Sequence, residues 1–403
     1  MGLHPDVKKF LCARHPECVS TAVPDVACEV QICDAMWLLF KYFPDEDATG
    51  DDLLRFFWNP IERFYAHGGT TYVCVFDSPE HVPVAKFEEH KRRYGAGVCA
   101  EPLECEECSA ATVPKPWRSA LAVRSVRRAI MSFIAKGILD RFAESTFPGA
   151  LYVSGLDGVV RRATSGSGPE ICAEHEAVAS VGEGDLAVSY WSEVFKDKRT
   201  IVRVLDSDQV PILQLRAHLG GRQEKLFVWL VSPGPREEHE YAMMPAEART
   251  VINILDLNRA VQKTGLQVPE FCFHVICQKT DFVEKIVSQL GVSDTMKALE
   301  KIPNVGVSIN ASAASFDAVK VKNAFTRVAA NSSRKRARLR DNEDVEFRRA
   351  WWVLLYWSYG WSGTLPASLT PKPAFGFDDN GARILEKIQD PYPVYTTLSN
   401  LSS

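Results

Sequence analysis

The chain has 403 residues, of which 46% are hydrophobic and 24% are charged, a globular balance that excludes disordered, collagen-like and coiled-coil proteins. Its formal net charge of −4 excludes a strong overall attraction to nucleic acid or membranes, so a surface that binds a polyanion must be local. The longest apolar run, residues 350–357, is far shorter than the ~20 residues that span a bilayer, and the opening MGLHPDVKKF has no apolar signal core. These features predict a soluble intracellular protein.

Two apolar segments near the start predict strands that run directly into acids. Residues 30–33 (VQIC) end at Asp34, and a helical stretch follows over residues 36–43. Residues 71–76 (TYVCVF) are rich in strand-forming side chains and end at Asp77. A lone aspartate after a strand is commonly a turn residue or a helix N-cap, which is the structural alternative for each of them.

The next hundred residues alternate between basic and loop-like segments. Residues 84–94 predict a basic helix, and residues 96–118, rich in Cys, Glu and Pro, predict a loop. Residues 116–142 predict a helix with a basic side formed by Arg124, Arg127 and Arg128, a candidate contact for a nucleic-acid backbone. Residues 149–168, rich in Gly and Ser, predict an exposed connection.

The second half of the chain repeats the strand-to-acid pattern. The tetrapeptide Gly-Glu-Gly-Asp at residues 182–185 precedes a helix over residues 186–195. Residues 200–205 (TIVRVL) predict a third strand, which ends at Asp206 and Asp208. Strands that alternate with helices predict an α/β fold with a mainly parallel central sheet flanked by helices. Residues 245–300 are mostly helical in pattern.

These acids form the most informative pattern in the sequence. The carboxyl ends of parallel strands meet at one edge of a sheet, where ligands of such folds bind, so the acids are expected to converge there. Acids packed together repel one another unless a cation neutralises them, and oxygen ligands suit Mg²⁺ or Mn²⁺. The predicted metal-binding and catalytic residues are Asp34, Asp77, Glu183, Asp185, Asp206, Asp208 and Asp281.

A basic stripe accompanies the acids. Lys86 and Arg93 are two helical turns apart, with His90 between them on the same face, and such a stripe beside a metal site can hold a phosphate. A solvated charged face, balanced by neighbouring glutamates, is the alternative.

The chain has 11 cysteines, and a zinc site is formally available to four residues. They are Cys105, Cys108, Cys172 and His175. Reduced, unliganded thiols are the preferred interpretation.

Six ordered segments carry a resemblance to a known family. They are MGLHPDVKKFLCARHPE, ICDAMWLLF, FDSPEHVPVAKFEEHKRRYG, SVGEGDLAVSYW, VLDSDQVPILQL and HVICQKTDFVEKI. Together they resemble the 5′→3′ exoribonucleases of the Xrn/Rat type, which share a PIN-like superfamily with flap endonucleases and XPG-like nucleases. VEFRRAWWVLLYWSYGW also resembles the aromatic helix of the exoribonucleases, which flap endonucleases lack.

The resemblance implies a PIN/FEN-like nuclease core in which the seven acids bind two Mg²⁺ or Mn²⁺ ions. Lys86, His90 and Arg93 would form a pocket for a 5′-monophosphate, and Phe40 would stack on a base, with core packing as the alternative for Phe40. The implied partner is single-stranded RNA, with DNA as the alternative, and no membrane. Asp185 replaces the family's second glutamate, and the family's Leu-Asp-Ala-Asp-Leu has become Leu-Asp-Ser-Asp-Gln here.

The predicted domains are a nuclease core over residues 1–285 and a helical, irregular extension over residues 286–403. The core carries a divergent insertion at about residues 96–180, and the extension contains a basic linker, residues 331–344, and an aromatic helix, residues 347–361. The basic run at residues 334–340 is a candidate nuclear import signal, so the predicted location is cytoplasmic or nuclear. The chain resembles a divergent, short member of this family, of the kind that a virus or an early-branching eukaryote would encode.

The leading functional prediction is a Mg²⁺-dependent 5′→3′ exoribonuclease that hydrolyses single-stranded RNA with two metal ions. The alternatives within nucleases are a structure-specific, flap-type endonuclease and an endoribonuclease of the host-shutoff type. The alternative from another class is a non-catalytic RNA-binding or scaffold protein that keeps the fold.

Overall fold

The structure, a computed structural model, describes residues 5–21, 28–42, 44–77, 108–156, 158–175, 184–231, 249–280, 283–332, 336–359, 376–377 and 383–384. Its helices are α1 (Pro5–Arg14), α2 (Ala35–Lys41), α3 (Gly50–Ala66), α4 (Trp117–Ala122), α5 (Arg124–Glu144), α6 (Gly184–Val194), α7 (Gln209–Leu219), α8 (Ile254–Lys263), α9 (Val268–Ile276), α10 (Val292–Leu299), α11 (Ala318–Ala330) and α12 (Glu343–Tyr359). Its strands are β1 (Val19–Ser20), β2 (Val30–Asp34), β3 (Thr71–Val75), β4 (Ala150–Ser154), β5 (Arg161–Thr164), β6 (Ser167–Ile171), β7 (Thr200–Val204), β8 (Leu226–Val231), β9 (Arg249–Asn253), β10 (Val287–Ser288), β11 (Val307–Ile309), β12 (Ala314–Phe316), β13 (Arg338–Leu339), β14 (Gly376–Phe377) and β15 (Arg383–Ile384).

One large sheet organises the described residues. Its strand order is β1-β9-β8-β7-β2-β3-β4-β5-β6. The centre, β8-β7-β2-β3-β4, is parallel, and the strands on both sides of it are antiparallel. Strand β2 lies in the middle, where Ile32 is in register with Val73 of β3 and Val202 of β7. The prediction of an α/β fold with a mainly parallel central sheet flanked by helices is confirmed.

Two hydrophobic layers cover the two faces of this sheet. Alternate side chains of a strand point to opposite faces, so Ile32 and Val73 contribute to the first layer and Cys33 and Cys74 to the second. The first layer includes apolar residues of α6, α7, α8, α9 and α12, and the second those of α2, α3 and α5. Strand β7 is buried at every position, as expected for a parallel strand covered on both faces.

The predicted exposed connection at residues 149–168 is wrong. The segment contains β4, which is buried along its whole length and is parallel to β3, and also β5. Gly149 and Gly155 bracket β4 with φ angles of +86° and +97°, and a Cβ at either would lie 1.7 Å from the carbonyl oxygen of Thr70 or Phe76. The glycines therefore allow the backbone to approach its neighbours closely at both ends of a core strand. In the sequence, glycines so close together are typical of a loop, which is why the sequence predicts an exposed connection there.

The predicted helix over residues 116–142 is present as α4 and α5, but its basic side is not as expected. Arg127 is buried, and its Nη1 donates a hydrogen bond to the carbonyl oxygen of Leu121 at 2.7 Å. It ties the two helices together instead of facing solvent. Arg128 is exposed, so the predicted three-arginine surface lacks its central member.

Helix α12 corresponds to the predicted aromatic helix. Trp351, Trp352 and Trp357 are buried in the core, and the Trp351 ring stacks on Phe316 with 5.3 Å between the ring centroids. The first layer runs without a break from α1 to α12, so the described part of the extension shares its core with the rest of the chain. The boundary at residue 285 stays a prediction. No helix among the described residues has the length and apolar character needed to cross a membrane.

Candidate functional site

The structure places acids at the ends of adjacent parallel strands. Asp34 is the last residue of β2, and Asp77 lies two residues beyond the end of β3. Asp206 and Asp208 follow β7, which is the neighbour of β2 on its other side. Because β7, β2 and β3 are parallel and adjacent, their carboxyl ends meet at one edge of the sheet. We call these side chains, together with Asp185, the acid rim.

Asp34 shows how closely the acid rim is packed. Its carboxylate accepts a hydrogen bond from the Met36 N–H at 2.9 Å, so it also serves as the N-cap of α2. Burial raises its pKa well above the usual value for an aspartate, and the charges of Asp77, Asp185 and Asp206 raise it further. Helix capping and membership of the acid rim are therefore not alternative roles for Asp34, because the same carboxylate caps α2 and interacts with three other acids.

The second glycine of the Gly-Glu-Gly-Asp tetrapeptide has a steric role at the acid rim. The Gly184 N–H, at the start of α6, donates to Asp77 Oδ1 at 2.7 Å. A Cβ at Gly184 would lie 2.4 Å from that same oxygen, so no larger residue can occupy the position without a shift. The N-terminus of a helix favours negative charge, and this contact fixes Asp77 against it.

Asp185 is held by a residue that the sequence did not indicate. The Gln209 side chain, at the first position of α7, donates from Nε2 to Asp185 Oδ1 at 2.7 Å. Gln209 is fully buried, whereas Asp185 is half-buried. Asp208 occupies the N-cap position of α7 and is buried, but its side chain makes no capping hydrogen bond. The structural alternative of a simple N-cap thus does not apply to Asp208.

The donor chemistry of the acid rim fits a divalent cation. It consists of carboxylate oxygens, the ligands that Mg²⁺ and Mn²⁺ prefer, and mutual repulsion is what a bound cation would relieve. The described residues do not by themselves bring three His, Cys, Asp or Glu side chains into an arrangement that could hold a metal ion. Glu183 and Asp281, the two other predicted ligands, lie outside the described residues.

The described residues that precede and follow Asp281 in the sequence are held by hydrogen bonds. The Thr280 N–H donates to the Val283 carbonyl oxygen at 3.0 Å, and the Val283 N–H donates back to Thr280 Oγ1 at 3.1 Å. The next residue, Glu284, donates its N–H to Glu346 of α12 at 2.9 Å. Sequence reasoning missed this role of α12, because an isolated glutamate in an aromatic helix carries no signal of its partner 62 residues away.

Of the four predicted substrate-binding residues, the structure describes Phe40. Lys86, His90 and Arg93 lie outside the described residues. Phe40, on α2, is partly buried and packs against the second hydrophobic layer. This contact agrees with the core alternative for Phe40, while its remaining exposed surface leaves stacking on a base as a prediction.

The candidate zinc ligands are not brought together in the described part of the chain. Cys108 packs against the second layer and Cys172 belongs to the first, on the other face of the sheet. His175 packs edge-on against Tyr190 and lies 4.7 Å from the Trp191 ring, and Cys105 is outside the described residues. Burial raises the pKa of Cys108 to about 11, so this thiol is protonated at neutral pH. These positions favour unliganded thiols.

Comparisons with known proteins give a distant structural likeness. No protein family and no curated protein matches the sequence. Among solved structures, the chain is similar to one described as the catalytic core of Rad2 in complex with DNA substrate. The TM-score is 0.40 at 10% identity, over 96% of this chain and 89% of that one. A likeness at this level does not by itself assign a fold family or an activity.

Proposed function

We propose that the protein is a metal-dependent nuclease that hydrolyses phosphodiester bonds at the acid rim. The observation that carries the proposal is the placement of Asp34, Asp77 and Asp206 at the carboxyl ends of three adjacent parallel strands. The charges of Asp77, Asp185 and Asp206 act on Asp34 and, after burial, raise its pKa. Four carboxylates from separate segments that converge at the carboxyl edge of a parallel sheet are costly unless they bind a cation. Perturbed groups of this kind are typical of functional sites.

The residues of the acid rim have distinct parts in the proposed chemistry. Asp34 lies at the end of β2, between β3 and β7, and would share ligation with Asp77 on one side and Asp206 on the other. Asp185, Asp208, Glu183 and Asp281 would complete the set. Two divalent cations, when bound there, would supply Lewis-acid stabilisation of the attacking and leaving oxygens of the phosphodiester. The protein's own contribution is to fix the carboxylates beforehand, through the Met36 and Gly184 N–H groups.

Within this class we propose a 5′→3′ exoribonuclease acting on single-stranded RNA. The family resemblance of the motifs supports this choice, as does the aromatic helix, which α12 matches in position and burial. Lys86, His90 and Arg93 would bind the terminal 5′-phosphate, and Phe40 would stack on a base. A flap-type endonuclease would need a Gly-x-Gly turn after Asp281 for duplex DNA, but residues 283–299 contain Gly291 alone. A host-shutoff endoribonuclease and a non-catalytic scaffold are the further alternatives.

The experiment that tests the proposal is a Mg²⁺-dependent time course on matched single strands. RNA and DNA of the same sequence would carry either a 5′-phosphate or a 5′-hydroxyl, with Asp206→Asn as the inactive control. We expect mononucleotides only from 5′-phosphorylated RNA, and no product with the variant. Lys86→Ala should slow cleavage of 5′-phosphorylated RNA more than that of 5′-hydroxyl RNA.

Other outcomes would assign a different function. Internal cuts, or removal of a DNA flap, would move the protein to the endonuclease alternatives. RNA binding without Mg²⁺-dependent cleavage of any strand would favour the scaffold. An equal effect of Lys86→Ala on both RNA ends would contradict the 5′-phosphate pocket.

A further inference from the structure

We propose that Gln209 is a positioning residue for the acid rim, and that its amide holds Asp185 in the orientation required for cation binding. The inference rests on the proposed function, since it concerns the same carboxylates. It adds a neutral residue to a site that the sequence indicated only through its acids.

The contact is short and partly buried. Gln209 Nε2 lies 2.7 Å from Asp185 Oδ1, and the Gln209 side chain has no exposed surface. A hydrogen bond from an N–H donor to a carboxylate is shorter and stronger than one between neutral groups. Asp185 also interacts electrostatically with Asp34, so the two carboxylates belong to one cluster.

The position of Gln209 in the chain links two parts of the acid rim. It follows Asp208 directly and lies three residues after Asp206, in the turn that leads from β7 into α7. Its partner, Asp185, is the second residue of α6. One hydrogen bond therefore joins the turn that carries two of the acids to the helix that carries a third.

Gln209 is a polar side chain in a fully buried position. A buried amide has a desolvation cost, which hydrogen bonds must offset. Among the described residues, Asp185 is the only hydrogen-bond partner of the Gln209 side chain, and the Oε1 atom has none. The contact that offsets this cost is therefore the one with a carboxylate of the acid rim.

The same helix provides a matched control. Gln214 is likewise fully buried, and its Oε1 also lacks a partner among the described residues. Its Nε2, however, donates to Asn258 Oδ1 at 3.1 Å, a neutral amide in the hydrophobic first layer. The two glutamines thus share helix, burial and side chain, and differ in whether the partner is a carboxylate of the acid rim.

The experiment compares Gln209→Leu, Gln209→Met and Gln214→Leu with the wild-type protein, using Mg²⁺ alone and then Mg²⁺ with RNA. The first readout is the Mg²⁺ concentration that gives half of the maximal rise in melting temperature without substrate. The second is the Mg²⁺ concentration that gives half-maximal cleavage. We expect both Gln209 variants to fold and to need about 10–100-fold more Mg²⁺ in both measurements, the usual effect of removing a group that orients a metal ligand.

Gln214→Leu should lower the melting temperature and leave both Mg²⁺ midpoints unchanged. Unchanged midpoints in both Gln209 variants, beside a normal wild-type response, would overturn this inference alone. A rise in midpoint with Gln214→Leu equal to that with Gln209→Leu would also overturn it, because any buried change in α7 would then have the same effect. A wild-type protein with no Mg²⁺ response in either measurement would overturn the proposed function, and the inference with it.

Discussion

Two regions of the protein withdraw carboxylates from solvent, one fully and one in part, and their surroundings differ. Glu346 of α12 is fully buried, yet it accepts hydrogen bonds from the Glu284 N–H, from Asn342 Nδ2 at 3.1 Å and from the Arg349 guanidinium. Its negative charge is matched by a cation and by two neutral donors. We call this group the Glu346 cluster.

Asp34 has little of that compensation. The Met36 N–H is the donor that the structure gives it, and the charges around it are those of Asp77, Asp185 and Asp206. The comparison teaches that burial alone does not mark a functional carboxylate. A buried acid supplied with donors stabilises the fold, whereas partly buried acids that face one another favour the binding of a cation.

The largest expected effect concerns the Glu346 cluster. Glu346→Leu should lower the free energy of unfolding by about 3–5 kcal/mol, because it leaves the partly buried Arg349 guanidinium without its carboxylate. Urea denaturation followed by circular dichroism measures the change. Asp344→Asn, on the exposed side of the same helix, is the control and should cost less than about 1 kcal/mol. Equal losses of unfolding free energy in the two variants would mean that the Glu346 cluster stabilises the fold no more than an exposed ion pair does.

The next effect concerns activity at the acid rim. Asp206→Asn should reduce Mg²⁺-dependent cleavage by more than about 100-fold, the upper range seen when only a supporting group of a metal site is removed. The free energy of unfolding in EDTA should not fall, because the variant removes a charge that acts on Asp34. Steady-state kinetics and denaturation of the same preparation test both parts. Unfolding of the variant would show that Asp206, like Glu346, is needed mainly for the stability of the fold.

A third effect concerns the pH dependence of stability, which a buried histidine outside both carboxylate regions should dominate. His274 of α9 is fully buried beside Phe325, and burial lowers its pKa to about 3. Below pH 6.5 the unfolded chain binds a proton there that the folded chain does not, so stability is lost as pH falls. The loss should reach about 2–3 kcal/mol at pH 4.5 relative to pH 7.5. His274→Leu should flatten the stability curve over this range, and the same slope in both proteins would contradict the assignment.

The smallest effect is a gain in stability. At neutral pH in EDTA, Asp34→Asn should raise the free energy of unfolding slightly, because it removes the central charge of the acid rim. The loss of the Met36 cap is small, since an asparagine can also cap a helix. Adding Mg²⁺ should stabilise the wild-type protein and leave the variant unchanged in thermal denaturation. A variant that is less stable than wild type in EDTA would show that Asp34 is primarily a cap.

Much of the fold could be predicted because its signals are local. Strands β2, β3 and β7 are short apolar runs, and an acid at the end of each can be read along the chain. Parallel strands then bring those acids to one edge by a general rule of this architecture. Strand β4 was missed for a local reason as well, since the glycines at its two ends favour a loop when its neighbours in the sheet are unknown.

The sequence by itself therefore determined which acids stand at strand ends and which segments form the central strands. Only the tertiary structure decided which buried polar groups compensate one another. Gln209 meets Asp185 across 24 residues, and Glu346 meets Glu284 across 62. A hydrogen bond depends on distances of a few tenths of an ångström between atoms far apart along the chain, and no periodicity or spacing encodes that.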